Sequence, residues 1–404
     1  MRTRVHGALW LPFTQMERFD AAARTFVRGQ GNRLVDARGS SVFDAVSSIW
    51  TIVHGHCHPA ITEAIARQAR ELDHATLLGA TNPRAEELAE RLTRLLGMDY
   101  AFFASDGASA IEAALKMALQ YWQQLGEPQR RRFVRLTDAY HGDTSGAMSL
   151  SDISVFKSRF GALTFETLTY EDHSWLERDD VAAVVVEPIV QAAAGMRIVP
   201  AERYAPLNGM KPLLVVDEIA TGFGRTGTMF ALEQLGIRAD VVCVGKGLSG
   251  GSLPISATVV REPVFAAFRG APGARAEFFH GHSYAGNPIA CAAALASLDL
   301  FHTEQTLERA RTLNRMLLPR LSELAGHPLV RDVRVAGLMC GIELASERIS
   351  AGGAATPAWR VADELYARGH FTRPIGDVIQ LVPPLSSEPE DLERFVADLH
   401  DVLG

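Results

Sequence analysis

Short runs in which every position is apolar recur through the middle of the chain, and each run stops at polar or glycine-containing residues. A strand that is apolar on both faces is typical of a parallel sheet covered on both sides. Open sheets of this kind bind ligands at the carboxyl ends of their strands. The predicted strands span residues 100–104, 133–136, 181–186, 212–216, 240–244 and 378–382, of which 133–136, 240–244 and 378–382 each include one polar residue.

Helical periodicity alternates with these strands. Residues 108–122, which are rich in Ala and Leu, directly follow the first predicted strand, and similar patterns cover 289–300, 308–325 and 357–369. The alternation predicts an α/β fold with a mostly parallel sheet in a large domain. We place that domain at residues 56–305, with a smaller α+β domain formed by the two chain ends, residues 1–55 and 306–404.

Composition narrows the class of protein. The 404 residues contain 47 acidic and 40 basic side chains, a net charge of −7 that disfavours a nucleic-acid binder. No apolar run approaches the roughly 18–20 residues of a membrane helix, and residues 1–7 lack an apolar signal core. The cysteines lie far apart, which disfavours a disulfide framework and a thiolate zinc site. A cytoplasmic enzyme is therefore expected; the cysteines are Cys57, Cys243, Cys291 and Cys340.

Lysine is rare, and one lysine occupies an unusual place. The chain has only Lys116, Lys157, Lys211 and Lys246. Lys246 follows a buried strand between glycines, 29 residues after Asp217, which ends the preceding strand. Pyridoxal phosphate needs a lysine to hold its aldehyde as a Schiff base and an acid to keep its pyridine nitrogen protonated. A lone Asp is usually a turn residue and a lone Lys a solvated one, but neither explanation suits this pair.

Three further turns could serve the same cofactor. Residues 105–109 join a strand to a helix, where free N–H groups favour a phosphate, although a plain N-cap explains them equally well. Residues 140–144 place Tyr140 after a strand, where an aromatic ring can stack on a flat cofactor or simply be half-buried. Residues 280–288 form a loop before a helix, in which a serine can donate to phosphate or cap the helix.

Two patterns point to other enzyme classes. Residues 222–227 match G-x-G-x-x-G, but five residues separate this pattern from the strand and the next strand ends in Gly-Lys, so a nicotinamide site is disfavoured. His54, His56, Cys57 and His58 match zinc by ligand type. Gly55 and Pro59 suggest a turn there, whereas ligands two residues apart need an extended strand, so no metal is expected.

The stretch Asp217–Gly227, with Lys246 after it, resembles the signature of the class III aminotransferases, which are pyridoxal-phosphate enzymes of fold type I. The resemblance covers nearly the whole chain. Within that class it is strongest to the branch that makes 7,8-diaminopelargonate from 8-amino-7-oxononanoate in biotin synthesis. The stretches that resemble this branch are residues 9–16, 114–122, 140–144, 187–191 and 373–374.

The resemblance implies roles for matching positions. Lys246 and Asp217 would be catalytic, and Tyr140 would stack on the cofactor ring. Ser283 would reach the phosphate of the neighbouring subunit in a homodimer with shared active sites. The remaining cofactor-binding positions would be Gly107, Ala108, His141, Glu187 and Ile219, and the substrate-binding positions Phe13, Ile49, Trp50, Arg373 and Gln380.

Three substrate positions depart from the pattern of that branch. Phe13 and Gln380 stand where it has tyrosines, and Ile49 replaces the first of two tryptophans, of which Trp50 keeps the second. Residues 192–194 are all alanine, without the glutamate that pairs with the arginine in many class III enzymes, so Arg373 is expected to be available for a substrate carboxylate. Three hypotheses follow: diaminopelargonate synthesis with adenosylmethionine or lysine as amino donor, an ω-aminotransferase for another amine or carbonyl compound, and a metal- or nicotinamide-dependent enzyme.

Overall fold

The structure is a computed structural model that describes residues 8–17 and 24–404. Its strands are β1 Phe26–Gln30, β2 Arg33–Asp36, β3 Ser41–Asp44, β4 Tyr100–Ala104, β5 Arg132–Arg135, β6 Leu168–Thr169, β7 Val181–Val186, β8 Val190–Gln191, β9 Arg197–Ile198, β10 Leu213–Asp217, β11 Val241–Val244, β12 Ser256–Val260, β13 Val330–Ala336, β14 Met339–Leu344, β15 His370–Phe371 and β16 Val378–Leu381.

The central sheet has seven strands in the order β4-β12-β11-β10-β7-β5-β6. Strands β11, β10, β7, β5 and β6 pair in parallel, while β12 pairs antiparallel with both β11 and β4. Only β12 therefore runs against the others. The carboxyl ends of β4, β5, β7, β10 and β11 meet at one edge, which is where an open α/β sheet binds its ligand.

Helices cover this sheet and connect its strands. The α-helices are α1 Pro59–Glu71, α2 Pro83–Leu96, α3 Gly107–Gln124, α4 Ser145–Ser149, α5 Ser154–Lys157, α6 Glu262–Ala266, α7 Pro288–Thr303, α8 Thr306–Ala325, α9 Pro357–Ala367 and α10 Pro389–Leu403. Short 3-10 helices span Ser158–Leu163, Tyr170–Asp172, Ser174–Glu177, Ala192–Ala194, Ala201–Leu207, Ala231–Gln234, Lys246–Ser249 and Ser346–Arg348. Several α-helices begin with proline after a residue whose side chain caps the first turn, as His58, Asn82, Asn287 and Thr356 do.

There are two smaller sheets, one of which combines both ends of the chain. One has the order β1-β2-β3-β15, so a strand from the C-terminal part pairs in parallel with β3. The other is the antiparallel sheet β13-β14-β16. A hairpin, β8-β9, makes a fourth sheet. These pairings tie residues 26–44 to the segment that follows α9.

The sequence predicts the fold class correctly. The six predicted strands and four predicted helices are present with ends shifted by a few residues at most. Apolar clusters lie on both sides of the central sheet, as expected because β7, β10, β11 and β12 are buried at every position. Among the described residues, no helix is long and apolar enough to cross a membrane.

Candidate active site

A cavity of about 440 Å³ opens at the carboxyl edge of the central sheet. Its residues come from the turns after β4, β5, β7, β10 and β11, together with Trp50 from the N-terminal part of the chain. They are Trp50, Asp106, Gly107, Ala108, Tyr140, His141, Gly142, Asp143, Thr144, Glu187, Val190, Ala192, Ala193, Asp217, Ile219, Ala220, Thr221 and Lys246.

Lys246 reaches this cavity from the turn after β11. Its backbone is left-handed, with φ of 41°, a conformation that L side chains rarely adopt and that often marks functional sites. No hydrogen-bond or ion-pair partner for its Nζ exists within residues 8–17 and 24–404, and Nζ lies 5.2 Å from the ring centroid of Trp50. Burial lowers the pKa of Lys246, although the nearby carboxylates of Asp217 and Glu187 oppose the effect. A buried amine with a lowered pKa is suited to accept and return a proton.

Asp217 ends β10 and is held by two hydrogen bonds. One carboxylate oxygen accepts from the backbone N–H of Ile219 at 3.0 Å, and the other lies 2.7 Å from Nδ1 of His141. Burial alone would lower the pKa of His141, but the bond to Asp217 and its charge outweigh burial, and the pKa is raised. Nε2 of His141 is buried without a hydrogen-bond partner among the described residues.

Glu187 and Tyr140 form a second polar group in the cavity. An oxygen of Glu187 accepts from the backbone N–H of Tyr140 at 3.0 Å, and the hydroxyl of Tyr140 donates to Asp143 at 2.9 Å. Burial raises the pKa of Glu187 to about 8, and the charge of Asp217 adds to the effect. Burial also raises the pKa of Tyr140, so its hydroxyl stays protonated as a donor.

The start of α3 forms another wall of the cavity. Asp106 caps this 18-residue helix by accepting from the backbone N–H of Ser109 at 3.0 Å. Gly107 and Ala108 stand in the first turn, where backbone N–H groups lack helical partners and favour an anion. A Cβ at Gly107 would lie 2.8 Å from Cγ2 of Ile219, so this close approach requires glycine.

The predicted substrate residues lie in several environments. Trp50 lines the cavity, whereas Phe13, Ile49, Arg373 and Gln380 do not. Phe13 is 62% exposed, and its ring centroid lies 5.5 Å from that of Phe156, which in turn lies 5.1 Å from that of Tyr140. Ile49 is exposed beside Trp50.

Gln380 differs most from its expected place. Its side chain is completely buried and accepts from Nε1 of Trp50 at 2.7 Å, so it stands behind the cavity wall and does not form part of it. Arg373 is half-buried, burial lowers its pKa, and no carboxylate partner for it exists within residues 8–17 and 24–404. Ser283 is exposed and does not line the cavity of its own chain.

The two competing motifs do not form sites of their own. His56 contacts Asp44, His58 contacts Glu304, and His54 is buried against Phe301. No group of three or more His, Cys, Asp or Glu side chains within the described ranges could hold a metal ion.

The glycine pattern at residues 222–227 lies in successive turns after β10 and is followed by the 3-10 helix Ala231–Gln234, not by the long helix of a dinucleotide fold. A Cβ at Gly224 would lie 2.6 Å from Leu385, so this glycine allows close packing between chain segments. The glycine pattern therefore does not have the strand–turn–helix arrangement that a nicotinamide dinucleotide site requires.

Sequence reasoning missed part of the cavity lining. The lining residues that were missed include Gly142, Asp143 and Thr144, beside Tyr140, and Ala220 and Thr221, beside Ile219. They belong to the motifs at residues 140–144 and 217–227, and this was the signal that could have identified them. No local pattern marks a buried neighbour of these turns, Arg225, whose guanidinium donates to the backbone carbonyls of Pro383 and Ile52. Burial lowers the pKa of Arg225 to about 10.

Residues 16–403 match the family described as aminotransferase class-III. The chain belongs to the class III aminotransferase family. It is 41% identical to the adenosylmethionine-8-amino-7-oxononanoate aminotransferase of Nitratidesulfovibrio vulgaris, over 98% of this chain and 79% of that protein.

Two solved structures resemble this aminotransferase over nearly its whole length. The adenosylmethionine-8-amino-7-oxononanoate aminotransferase of Methanocaldococcus jannaschii has a TM-score of 0.90 at 35% identity, covering 98% of this chain and 96% of its own. An amine transaminase from an uncultivated Pseudomonas species, in its PLP-bound form, has a TM-score of 0.93 at 31% identity, covering 99% of each chain. This aminotransferase is a pyridoxal-phosphate-dependent transaminase of fold type I.

The residues of the cavity fit pyridoxal phosphate. The half-buried amine of Lys246 is without a protein hydrogen bond within the described residues, Asp217 offers a buried carboxylate, and the first turn of α3 offers unpaired N–H groups. When bound, the cofactor takes up an amino group and withdraws electrons from the carbon that carries it. Lys246 would supply a proton acceptor at Nζ, and Asp217, which His141 contacts through Oδ2, would face the ring nitrogen.

Proposed function

We propose that this aminotransferase converts 8-amino-7-oxononanoate into 7,8-diaminopelargonate. Both named relatives that carry this activity align with nearly the whole chain. The observation that carries the proposal is Arg373, a half-buried guanidinium with no carboxylate partner in the part of the chain that the structure describes. A desolvated cation of this kind is stabilised by an anionic partner, and the substrate ends in a carboxylate.

The neighbouring loop supports this role for Arg373. Ala192 and Ala193 line the cavity and carry no charge, so this loop offers the arginine no internal carboxylate. Trp50 supplies an apolar wall for a carbon chain, and Lys246 supplies the proton acceptor. In this proposal Phe13 and Ile49 contact the substrate from the exposed side of the site.

The test is a donor panel with 8-amino-7-oxononanoate as acceptor. Adenosylmethionine, lysine and alanine are supplied separately, and 7,8-diaminopelargonate is measured by mass spectrometry. We expect product with at least one donor. The Arg373→Met variant should reduce kcat/KM for the keto acid by about 10- to 100-fold, since a charge-assisted hydrogen bond is worth about 1.5–3 kcal/mol.

A second candidate is an ω-aminotransferase for another amine or carbonyl compound. The replacement of two tyrosines by Phe13 and Gln380 removes hydroxyl groups from this region, and a solved amine transaminase has the same fold. This second function would be favoured over diaminopelargonate synthesis by two results together. No donor would give diaminopelargonate, and an amine–aldehyde pair that lacks a carboxylate would be turned over.

A homodimer with shared active sites is part of the proposal. Ser283 is exposed, and so are the apolar side chains of its sequence neighbours Phe279 and Tyr284. The exposed side chain of Leu78 lies close to Gly281 of this segment. A second copy covering this surface would bury it and bring Ser283 to the partner's cofactor phosphate. Light scattering should give twice the 43.9 kDa chain mass, and a monomer would contradict this part. We also propose a cytoplasmic location, which the four free cysteines support.

A further inference from the structure

The turn that carries Trp50 has an unusual backbone. The four consecutive residues Ser47–Trp50 all have left-handed φ angles, of 49°, 47°, 65° and 66°. This conformation is unfavourable for each residue with a Cβ, because the Cβ approaches the following carbonyl oxygen too closely. A run of this kind persists only where surrounding contacts hold it. Because Trp50 ends the run and lines the cavity, those contacts determine where one wall of the active site stands.

The contacts that hold the turn come from the end of β16. The hydroxyl of Ser47 donates to the carbonyl of Val382 at 2.7 Å, and Nε1 of Trp50 donates to Oε1 of Gln380 at 2.7 Å. The backbone N–H of Val382 donates back to the carbonyl of Ala45, also at 2.7 Å. The first and last residues of the turn are therefore both attached to the same short stretch of chain.

Gln380 connects this turn to a second part of the site. Its side chain is 0% exposed, so both ends of its amide must find partners inside the protein. Oε1 accepts from Trp50, and Nε2 donates to the backbone carbonyl of Arg373. One buried amide thus links the aromatic wall of the cavity with the segment that carries the unpaired arginine.

We propose that Gln380 is a positioning residue, whose buried amide fixes the indole of Trp50 relative to the main chain of Arg373 and so selects substrates that carry a carboxylate at a set distance from the reacting carbon. It acts through these two residues and touches neither cofactor nor substrate. The selectivity part of this proposal rests on the role proposed above for Arg373. The coupling to Trp50 stands on the structure alone.

The first readout follows the indole N–H of Trp50 directly. In the purified protein the indole resonances are recorded by NMR, and the Trp50→Phe variant identifies the resonance of Trp50. The Gln380→Leu variant should speed hydrogen exchange of this N–H by about tenfold, as loss of one hydrogen bond implies. The matched control is Gln68→Leu. Gln68 is also buried and also bridges two groups, accepting from Arg84 and donating to the carbonyl of Leu72, but it lies on α1.

The second readout is selectivity between two amines of equal chain length, one with a terminal carboxylate and one without. In Gln380→Leu the ratio of their kcat/KM values should fall about tenfold toward the carboxylate-free amine, and Gln68→Leu should keep the wild-type ratio. Trp50→Phe removes the same hydrogen bond from its other end. It should lower the ratio as well, and adding Gln380→Leu to it should have little further effect.

The outcomes separate this proposal from the proposed function. If Gln380→Leu matches Gln68→Leu in both exchange and selectivity, the glutamine is only structural and the proposal is overturned. An altered selectivity with unchanged exchange of the Trp50 N–H would also overturn it. If no carboxylate-bearing substrate reacts with the wild type, the proposed function fails, while the exchange measurement still decides whether Gln380 holds Trp50.

Discussion

Nδ1 of His141 lies 2.7 Å from Oδ2 of Asp217, and both side chains are buried at the carboxyl edge of the central sheet. His141 lies in the turn after β5 and Asp217 is the last residue of β10, and one strand separates β5 from β10 in the sheet. A buried carboxylate is stabilised only where a partner offsets its desolvation. His141 is therefore the partner that offsets the desolvation of the Asp217 carboxylate, the group that we propose pairs with the cofactor's ring nitrogen.

Replacing His141 with Phe should weaken this arrangement. Oδ2 of Asp217 would lose its hydrogen bond and its nearest positive charge, and we expect kcat/KM to fall about 10- to 100-fold. The limb of the wild-type pH–rate profile that reports His141, whose pKa the bond to Asp217 raises, should be absent from the variant. A wild-type rate and profile would show that Asp217 does not depend on His141.

Replacing Lys246 with Ala should abolish turnover, with at least about a thousandfold loss, because the described part of the cavity holds no other amine. Lys211→Ala is the matched control. Lys211 is exposed and pairs with Glu127, and its loss should leave the steady-state rate unchanged. Equal activity in the two variants would remove Lys246 from its proposed role.

Gly107→Ala should lower cofactor affinity about tenfold. The added Cβ would meet Cγ2 of Ile219 at 2.8 Å, so the first turn of α3 would have to shift by a few tenths of an ångström. The double variant Gly107→Ala/Ile219→Ala removes the obstructing atoms and should recover part of the affinity, which a cofactor titration measures. A double variant that binds as weakly as the sum of its single changes would show that the contact is not the cause.

The central strands and helix α3 could be predicted because strands such as β7 and β11 are apolar at every position and the helix is rich in Ala and Leu. Strand β12 was not predicted. Ser256–Val260 is short and contains two hydroxyl residues, and its place beside β4 depends on pairing with residues more than 150 positions away.

For the site, the sequence pattern predicts that Asp217 and Lys246 share one cavity, because the carboxyl ends of parallel strands meet at one edge of the sheet. The position of Gln380 could not be predicted in the same way. All four positions of β16 are buried, so alternation does not reveal which side chain faces the active site. The left-handed turn Ser47–Trp50 contains no glycine, and its conformation depends on contacts with the other end of the chain.

Glu218 gives a prediction for the pH dependence of stability. It is completely buried, accepts from Thr221 and from the backbone of Leu232, and burial raises its pKa from 4.5 to about 7. The folded protein therefore binds this proton more tightly than the unfolded chain. The resulting contribution to stability is full below pH 4.5 and is lost as the pH rises through about 7.

The Glu218→Gln variant should lose less stability than the wild type between pH 5 and pH 8, because it has no proton to release. Urea unfolding at both pH values measures the difference for each protein. Parallel loss of stability in the two proteins would show that Glu218 does not titrate in this range.

The most direct test of the account is the visible spectrum of the purified enzyme before and after addition of 7,8-diaminopelargonate. We expect a pyridoxal band that bleaches to the pyridoxamine form, because the proposed product can donate its amino group in the reverse direction. A pyridoxal band that persists would contradict the proposed substrate and direct attention to Phe13, Ile49 and the Trp50–Gln380 pair. Absence of any band after pyridoxal phosphate is supplied would contradict the roles of Lys246 and Asp217 themselves.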